Sequence, residues 1–161
     1  MQQLWAPWRM EFIEGKKESG CVFCRILKEK TDRENLVLKR TPECFVILNK
    51  YPYNNAHLMV VPNEHTNDFV ALKPGALNEM GRLAQAATKI LQEVVRPEGF
   101  NTGMNLGHAA GAGIREHLHL HIVPRWVGDT NFLPVVGLTK SMPQHLLDSY
   151  DSLVDHFRRL S

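Results

Sequence analysis

The chain is expected to fold as an α+β domain with a mainly antiparallel sheet, and three features of the sequence predict it. Two apolar runs, 45–48 and 58–61, flank the turn-forming segment Tyr-Pro-Tyr-Asn-Asn, the pattern of a hairpin with a long loop. Apolar residues recur at three- and four-residue spacings over 75–95, as they do on one face of a helix. Leu118, Leu120 and Ile122 alternate with His117, His119 and His121, which is the period of a strand.

Taken in order, the hairpin comes first. The helix follows, with Leu77, Met80, Leu83, Ala84, Ala87, Ile90, Leu91 and Val94 on its apolar face, Pro74 near its start and Pro97 beyond its end. The segment GFNTGMNLG is compatible with a strand, and HAAGAG is a small-residue loop. A strand over 117–123 then presents one apolar face and one imidazole face. Leu146, Leu147, Tyr150, Leu153, Val154 and Phe157 place a last helix in 143–160.

A length of 161 residues with 43% hydrophobic content supports one substantial core. We therefore expect a single domain over 1–161, with an N-terminal arm (1–20) and the C-terminal helix (143–160) as extensions. No repeat or linker divides it. Apolar runs such as 58–61 fall far short of the ~20 residues that cross a bilayer, and the first twenty residues lack the apolar stretch of a secretion signal. The expectation is a cytoplasmic protein without a membrane partner. A formal charge of +2, with no basic block, does not favour a nucleic-acid partner. The three cysteines are too few for a disulfide framework and read as free thiols or metal ligands.

Three alternate histidines admit three readings. In a strand such residues lie ~6.6 Å apart, so two of them, joined by His57 or His65, could activate water on a catalytic metal. One neutral imidazole could instead attack phosphorus while its neighbours bind the phosphate. The third reading is a solvent-facing strand rich in histidine. The loop NLGHAAGAG, 105–113, lets backbone N–H groups approach a ligand, although neither a P-loop nor a dinucleotide fingerprint is present.

The segment His117-Leu-His-Leu-His121-Ile-Val resembles the H-φ-H-φ-H-φ-φ signature of the histidine triad family, φ being apolar. LWAPWRM, NKYPYNNAHLMVVP, GFNTGMNLG and EHLHLHIVPRWVGDTNF extend the likeness over most of the chain, toward the diadenosine tetraphosphate phosphorylase-like branch. The resemblance implies a five-stranded antiparallel sheet with two main helices, paired with a second copy across a two-fold axis. It implies an adenine nucleotide or dinucleoside polyphosphate as ligand, cleaved at the α-phosphate. His119 would be the nucleophile, His121 and His57 phosphate contacts, Asn49 a ribose contact and Asn105 a phosphate contact. The sequence departs from the family pattern at Ala112-Gly113-Ile114, where relatives carry a Gln or Ser that helps the leaving group. Backbone N–H groups of Gly111 to Gly113, or His108, are substitutes. Ala56 also stands where relatives often have glycine.

Cys21-Val-Phe-Cys24 has the spacing of two zinc thiolates, and a redox pair or two buried thiols compete with that reading. The resemblance implies half of a structural zinc site, completed by His65 and His117, and no organic cofactor. Cys44 reads as a small core residue. His108, His145 and His156 read as surface histidines, whereas Tyr51, Tyr53 and Trp126 could stack on a base or simply pack. The function expected is nucleotidyl transfer or hydrolysis. The alternatives are a nucleotide-binding protein with little catalysis, a nucleoside phosphoramidate hydrolase and a zinc hydrolase.

Overall fold

Eight elements and a short 3₁₀ turn make up the computed structural model, which describes residues 20–129 and 144–160. In chain order they are α1 (Val22–Lys28), β1 (Val37–Arg40), β2 (Cys44–Leu48), β3 (Leu58–Pro62), α2 (Pro74–Val94), β4 (Gly99–Gly103), the 3₁₀ turn His108–Ala110, β5 (Leu120–Arg125) and α3 (Leu146–Arg158). The strands form one sheet in the order β1-β2-β3-β5-β4. Every neighbouring pair is antiparallel.

β2 and β3 are buried along their whole length, which is why they read as continuous apolar runs rather than as alternation. α2 and α3 pack against each other, α2 also against β2, β3 and β5, and α3 against β1. Met80, Leu91, Leu153 and Phe157 are at most 1% exposed at this junction, each burial contributing about 1.5–3 kcal/mol. α2 begins with Pro74, whose missing N–H falls where no helical acceptor exists. It stops where Arg96 takes a left-handed φ of +48° and Pro97 cannot continue it. The N-terminus of α3 is capped by His145, whose ring nitrogen accepts from the Leu147 N–H (3.3 Å). That residue thus has a structural task beyond lying on the surface.

The structure differs from the sequence expectation in two respects. α1 and β1 are additional elements. β5 starts at Leu120 rather than at His117, for a reason visible in its partner. β3 and β5 are in register at Val60↔Leu120, so continuing the ladder would oppose Leu118 to Pro62, which has no N–H to give. Leu118 donates instead to the Thr66 carbonyl (2.8 Å). Of the three readings open for the histidines, the solvent-facing strand is the one the structure excludes: His117, His119 and His121 are all buried. The N-terminal arm, including LWAPWRM, and residues 130–143 lie outside the described residues, and no helix among the described residues is long and apolar enough to cross a membrane.

Candidate functional site

Beside the start of β5, the hydrogen bonds assign each imidazole a protonation state. The Nδ1 of His119 lies 2.9 Å from the carbonyl oxygen of His117. A carbonyl can only accept, so Nδ1 carries the proton and Nε2 keeps its lone pair. Burial pushes the pKa of His119 below the ordinary histidine range, and the bond to the His117 carbonyl draws it only partly back. The ring is therefore neutral near pH 7, with an unprotonated Nε2.

The partner ring is set in the opposite sense. The Tyr53 backbone N–H donates to His57 Nδ1 (3.0 Å), and the Asn49 side-chain nitrogen lies 3.4 Å from the same atom. Neutral His57 must then carry its proton on Nε2, which faces His121 Nδ1 at 2.9 Å. His121 Nδ1 accepts that proton's hydrogen bond, so in its neutral form His121 is protonated at Nε2. The His119 and His121 rings stand edge to face with centroids 4.8 Å apart. One offers a lone pair and the other an N–H.

Local geometry holds His57 in this position. Ala56 before it has φ +53°, in the left-handed region where glycine is at ease, and the residue is 3% exposed. The Asn49 N–H closes the hairpin on the His57 carbonyl (2.8 Å), while the Asn49 side-chain oxygen accepts from the Tyr51 N–H (2.9 Å). Asn54, 5% exposed, donates to the Pro124 carbonyl and to Asp129, which in turn grips Arg125 through both carboxylate oxygens. The loop carrying His57 is thereby fastened to the far end of β5.

An open cleft is lined by Asn49, Tyr51, Tyr53, Met59, Asn105, Gly113, Ile114, His119 and His121. His57 is fully buried and reaches the cleft through His121. Gly111 is not among the lining residues; it is exposed, with φ +76°, at the end of the 3₁₀ turn that His108 begins. Ala112 is buried. Among the described residues, the N–H groups of Ala112, Gly113 and Ile114 make no hydrogen bond. Trp126 does not line the cleft, and its Nε1–H donates to the Arg96 carbonyl (3.2 Å). Met59 and Ile114 were not anticipated. Met59 sits opposite His121 in the β3–β5 ladder, so the correct register would have found it.

The four residues Cys21, Cys24, His65 and His117 come together with all ligand atoms within 4.8 Å of one another. His117 Nδ1 is 3.3 Å from Cys21 Sγ and 3.7 Å from Cys24 Sγ, and His65 Nδ1 is 3.2 Å from Cys24 Sγ. Zinc bonds of about 2.3 Å to sulfur and about 2.0–2.1 Å to nitrogen place tetrahedral ligands about 3.4–3.8 Å apart, so the donor set fits that ion. The His117 Nε2–H donates to the Pro62 carbonyl (2.8 Å), leaving Nδ1 unprotonated toward the thiols, as a metal ligand requires. Burial first, and then the neighbouring Cys21, push the Cys24 thiol pKa up. Phe23, between the two cysteines and 2% exposed, packs on His117 (5.3 Å) and on His119 (5.5 Å). Cys44 is fully buried in the core, its thiol pushed up to about 12 by burial.

The family model for the HIT domain matches residues 30–127. An AP-4-A phosphorylase from Mycobacterium tuberculosis is 36% identical over 167 aligned residues, spanning 99% of this chain and 86% of that protein. An adenosine 5'-monophosphoramidase from Candida albicans is 24% identical over 111 residues, 66% of this chain and 71% of that protein. Among solved structures, a zinc-bound histidine triad family protein from Mycobacterium smegmatis superposes with a TM-score of 0.70 at 26% identity, covering 87% of this chain and 94% of that one.

Proposed function

The chain belongs to the HIT domain family, and from that premise we propose that it is an enzyme cleaving a dinucleoside polyphosphate at the α-phosphate through a nucleotidyl adduct on His119. The observation that carries this reading is the opposed hydrogen bonding of His119 and His121 on one cleft wall, Nδ1 of the first facing a carbonyl and Nδ1 of the second facing His57 Nε2. His119 Nε2 attacks phosphorus, a P–N bond forms, and the P–O bond to the leaving polyphosphate breaks. The His121 Nε2–H donates to a non-bridging phosphoryl oxygen, where charge gathers during in-line displacement. Held by Tyr53 and Asn49, His57 keeps that proton on the outer nitrogen of His121. Asn49 and Asn105 orient the ribose and the phosphates. Water or inorganic phosphate then displaces His119 from phosphorus and restores the free ring.

With no polar side chain at Ala112-Gly113-Ile114, the leaving oxygen is met by backbone N–H groups of Gly113 and Ile114. The same feature favours a second reading, a phosphoramidate or mixed-anhydride substrate whose leaving group needs little help. The similarity to an adenosine 5'-monophosphoramidase and to an adenylylsulfatase from Arabidopsis thaliana supports keeping it. Zinc, when bound by Cys21, Cys24, His65 and His117, supplies a cross-link and not a Lewis acid, since four protein ligands leave no open position. Pairing with a second copy across a two-fold axis is part of this proposal.

The test is incubation with diadenosine tetraphosphate, with and without inorganic phosphate, followed by product identification. ADP and ATP formed only with phosphate mark a phosphorylase, and AMP and ATP mark a hydrolase. Binding without turnover, and without an acid-labile adduct on His119, refutes the enzymatic reading and leaves a nucleotide-binding protein.

A further inference from the structure

The cysteine–histidine centre and the His119 ring meet at one peptide group, the one joining His117 to Leu118. Its carbonyl oxygen receives the His119 Nδ1–H (2.9 Å). Its N–H donates to the Thr66 carbonyl (2.8 Å), one residue beyond His65. The side chain on its N-terminal side is the His117 ring, placed against Cys21, Cys24 and His65 at Nδ1 and against Pro62 at Nε2. A third tie runs through Phe23, which touches both rings from between the two cysteines.

Apart from the His119 ring itself, each contact that fixes the plane of this peptide thus comes from a segment that the metal would hold: the 21–24 turn of helix, the 62–66 stretch, and His117 itself. β5 does not help, because the ladder begins only at Leu120. Among the described residues, no strand pairs with 117–119 to orient them. We propose that the Cys21–Cys24–His65–His117 centre is a positioning device for His119: a metal bound there aims the His117 carbonyl and so selects the His119 tautomer that leaves Nε2 unprotonated. Its loss frees the peptide to rotate, and the ring then exchanges between two tautomers and two orientations. This rests on the reading of His119 as the nucleophile, and it makes His117 act through its backbone rather than by touching substrate.

The discriminating comparison is between two nearby histidine pairs, only one of which depends on the metal. Nitrogen-15 NMR of the full chain reads each imidazole nitrogen as protonated or bare. In zinc-loaded protein His119 shows a protonated Nδ1 and a bare Nε2, and His57 shows the reverse. After zinc is removed by a chelator, the two His119 signals move toward a common averaged position while those of His57 and His121 stay put, and restoring zinc restores them. His65→Ala should reproduce the zinc-free pattern. His65→Cys, which still offers a ligand, should retain both zinc and the His119 signature.

In parallel, zinc removal should lower kcat at least about tenfold, the usual scale for losing a supporting contact around a site, with the nucleotide Kd little changed. An unshifted His119 signature in zinc-free protein overturns the proposal. So does simultaneous averaging of all the imidazole signals, which would mark general unfolding rather than a specific link. If the signature responds to zinc but no nucleotide is turned over, the nucleophile reading fails while the positioning link stands.

Discussion

Replacing His57 by leucine tests whether this residue works through His121. His57 is fully buried, so a substituent of similar bulk is needed to avoid a cavity, and leucine removes the ring's hydrogen bonds while filling most of the space. The bond lost to His121, 2.9 Å long, has a net worth of about 0.5–1.5 kcal/mol. If its only effect is to bias the His121 tautomer, kcat falls by about 2- to 13-fold. If His121 stops donating altogether, the loss approaches that of a missing oxyanion donor, about 100- to 1,000-fold. The prediction is a fall in kcat between about 2- and 1,000-fold, with the Kd for nucleotide nearly unchanged. The sharper measurement is the cycle with His121→Leu: because His57 acts through His121, the double variant should be no slower than His121→Leu alone, so the two losses do not add. Steady-state kinetics with each variant checked for a native unfolding transition decides it. Multiplying losses, or an unchanged kcat in His57→Leu, would refute the relay.

Three further outcomes follow from the same geometry. Since burial holds the His119 pKa below the usual value of about 6.5, kcat/KM should be flat through neutrality and decline only below that pH. Stability linked to this ring, full above about 6.5, should drain away as pH falls, because the unfolded chain takes the proton first. An acid limb centred above 6.5 would contradict this. Ala56→Gly removes a left-handed strain of about 1–2 kcal/mol, but adds unfolded-state entropy of about 0.4–1 kcal/mol and loses a buried methyl of about 0.8 kcal/mol. Chemical denaturation should therefore show a change within about 1 kcal/mol, and a loss above about 2 kcal/mol would mean the strain is not there. With its thiol pushed up to about 12 and no exposed surface, Cys44 should resist maleimide in the native protein at pH 8 while zinc-free Cys21 and Cys24 react. Mass mapping that finds Cys44 modified without unfolding would overturn its burial.

The long periodic elements were legible because tertiary context agrees with local pattern. α2 repeats its apolar face over six turns, and the hairpin strands are bounded by a turn-rich segment. β1 escaped notice because it has four residues, its ladder slips between Val37 and Lys39, and Leu36 just before it has φ +61°. α1 offers only Phe23 and Ile26 as buried positions, one turn of periodicity. The strand start was misread at His117 because alternation in one strand says nothing about where its neighbour ends, and Pro62 ends it. In the site, side chains with distinctive chemistry were readable from the triad and the cysteine spacing. The groups that settle protonation were not: the Tyr53 N–H and the carbonyls of Pro62 and His117 are backbone, identical at every position, and only the fold tells which one faces a ring.

The placement of α3 has a consequence for how the molecule may be cut. The stretch matched by the family model ends at residue 127, yet Leu153 and Phe157 of α3 are fully buried. The Tyr150 hydroxyl donates to the Val37 carbonyl (3.2 Å), and Ser149 and Gln144 hold the side chain of Asn55, two residues before His57. The stretch matched by the family model is therefore shorter than the segment that folds. A fragment trimmed to residues 30–127 would lose Cys21 and Cys24 of the metal centre along with α3, stripping the cover from β1 and the brace from the loop that carries His57.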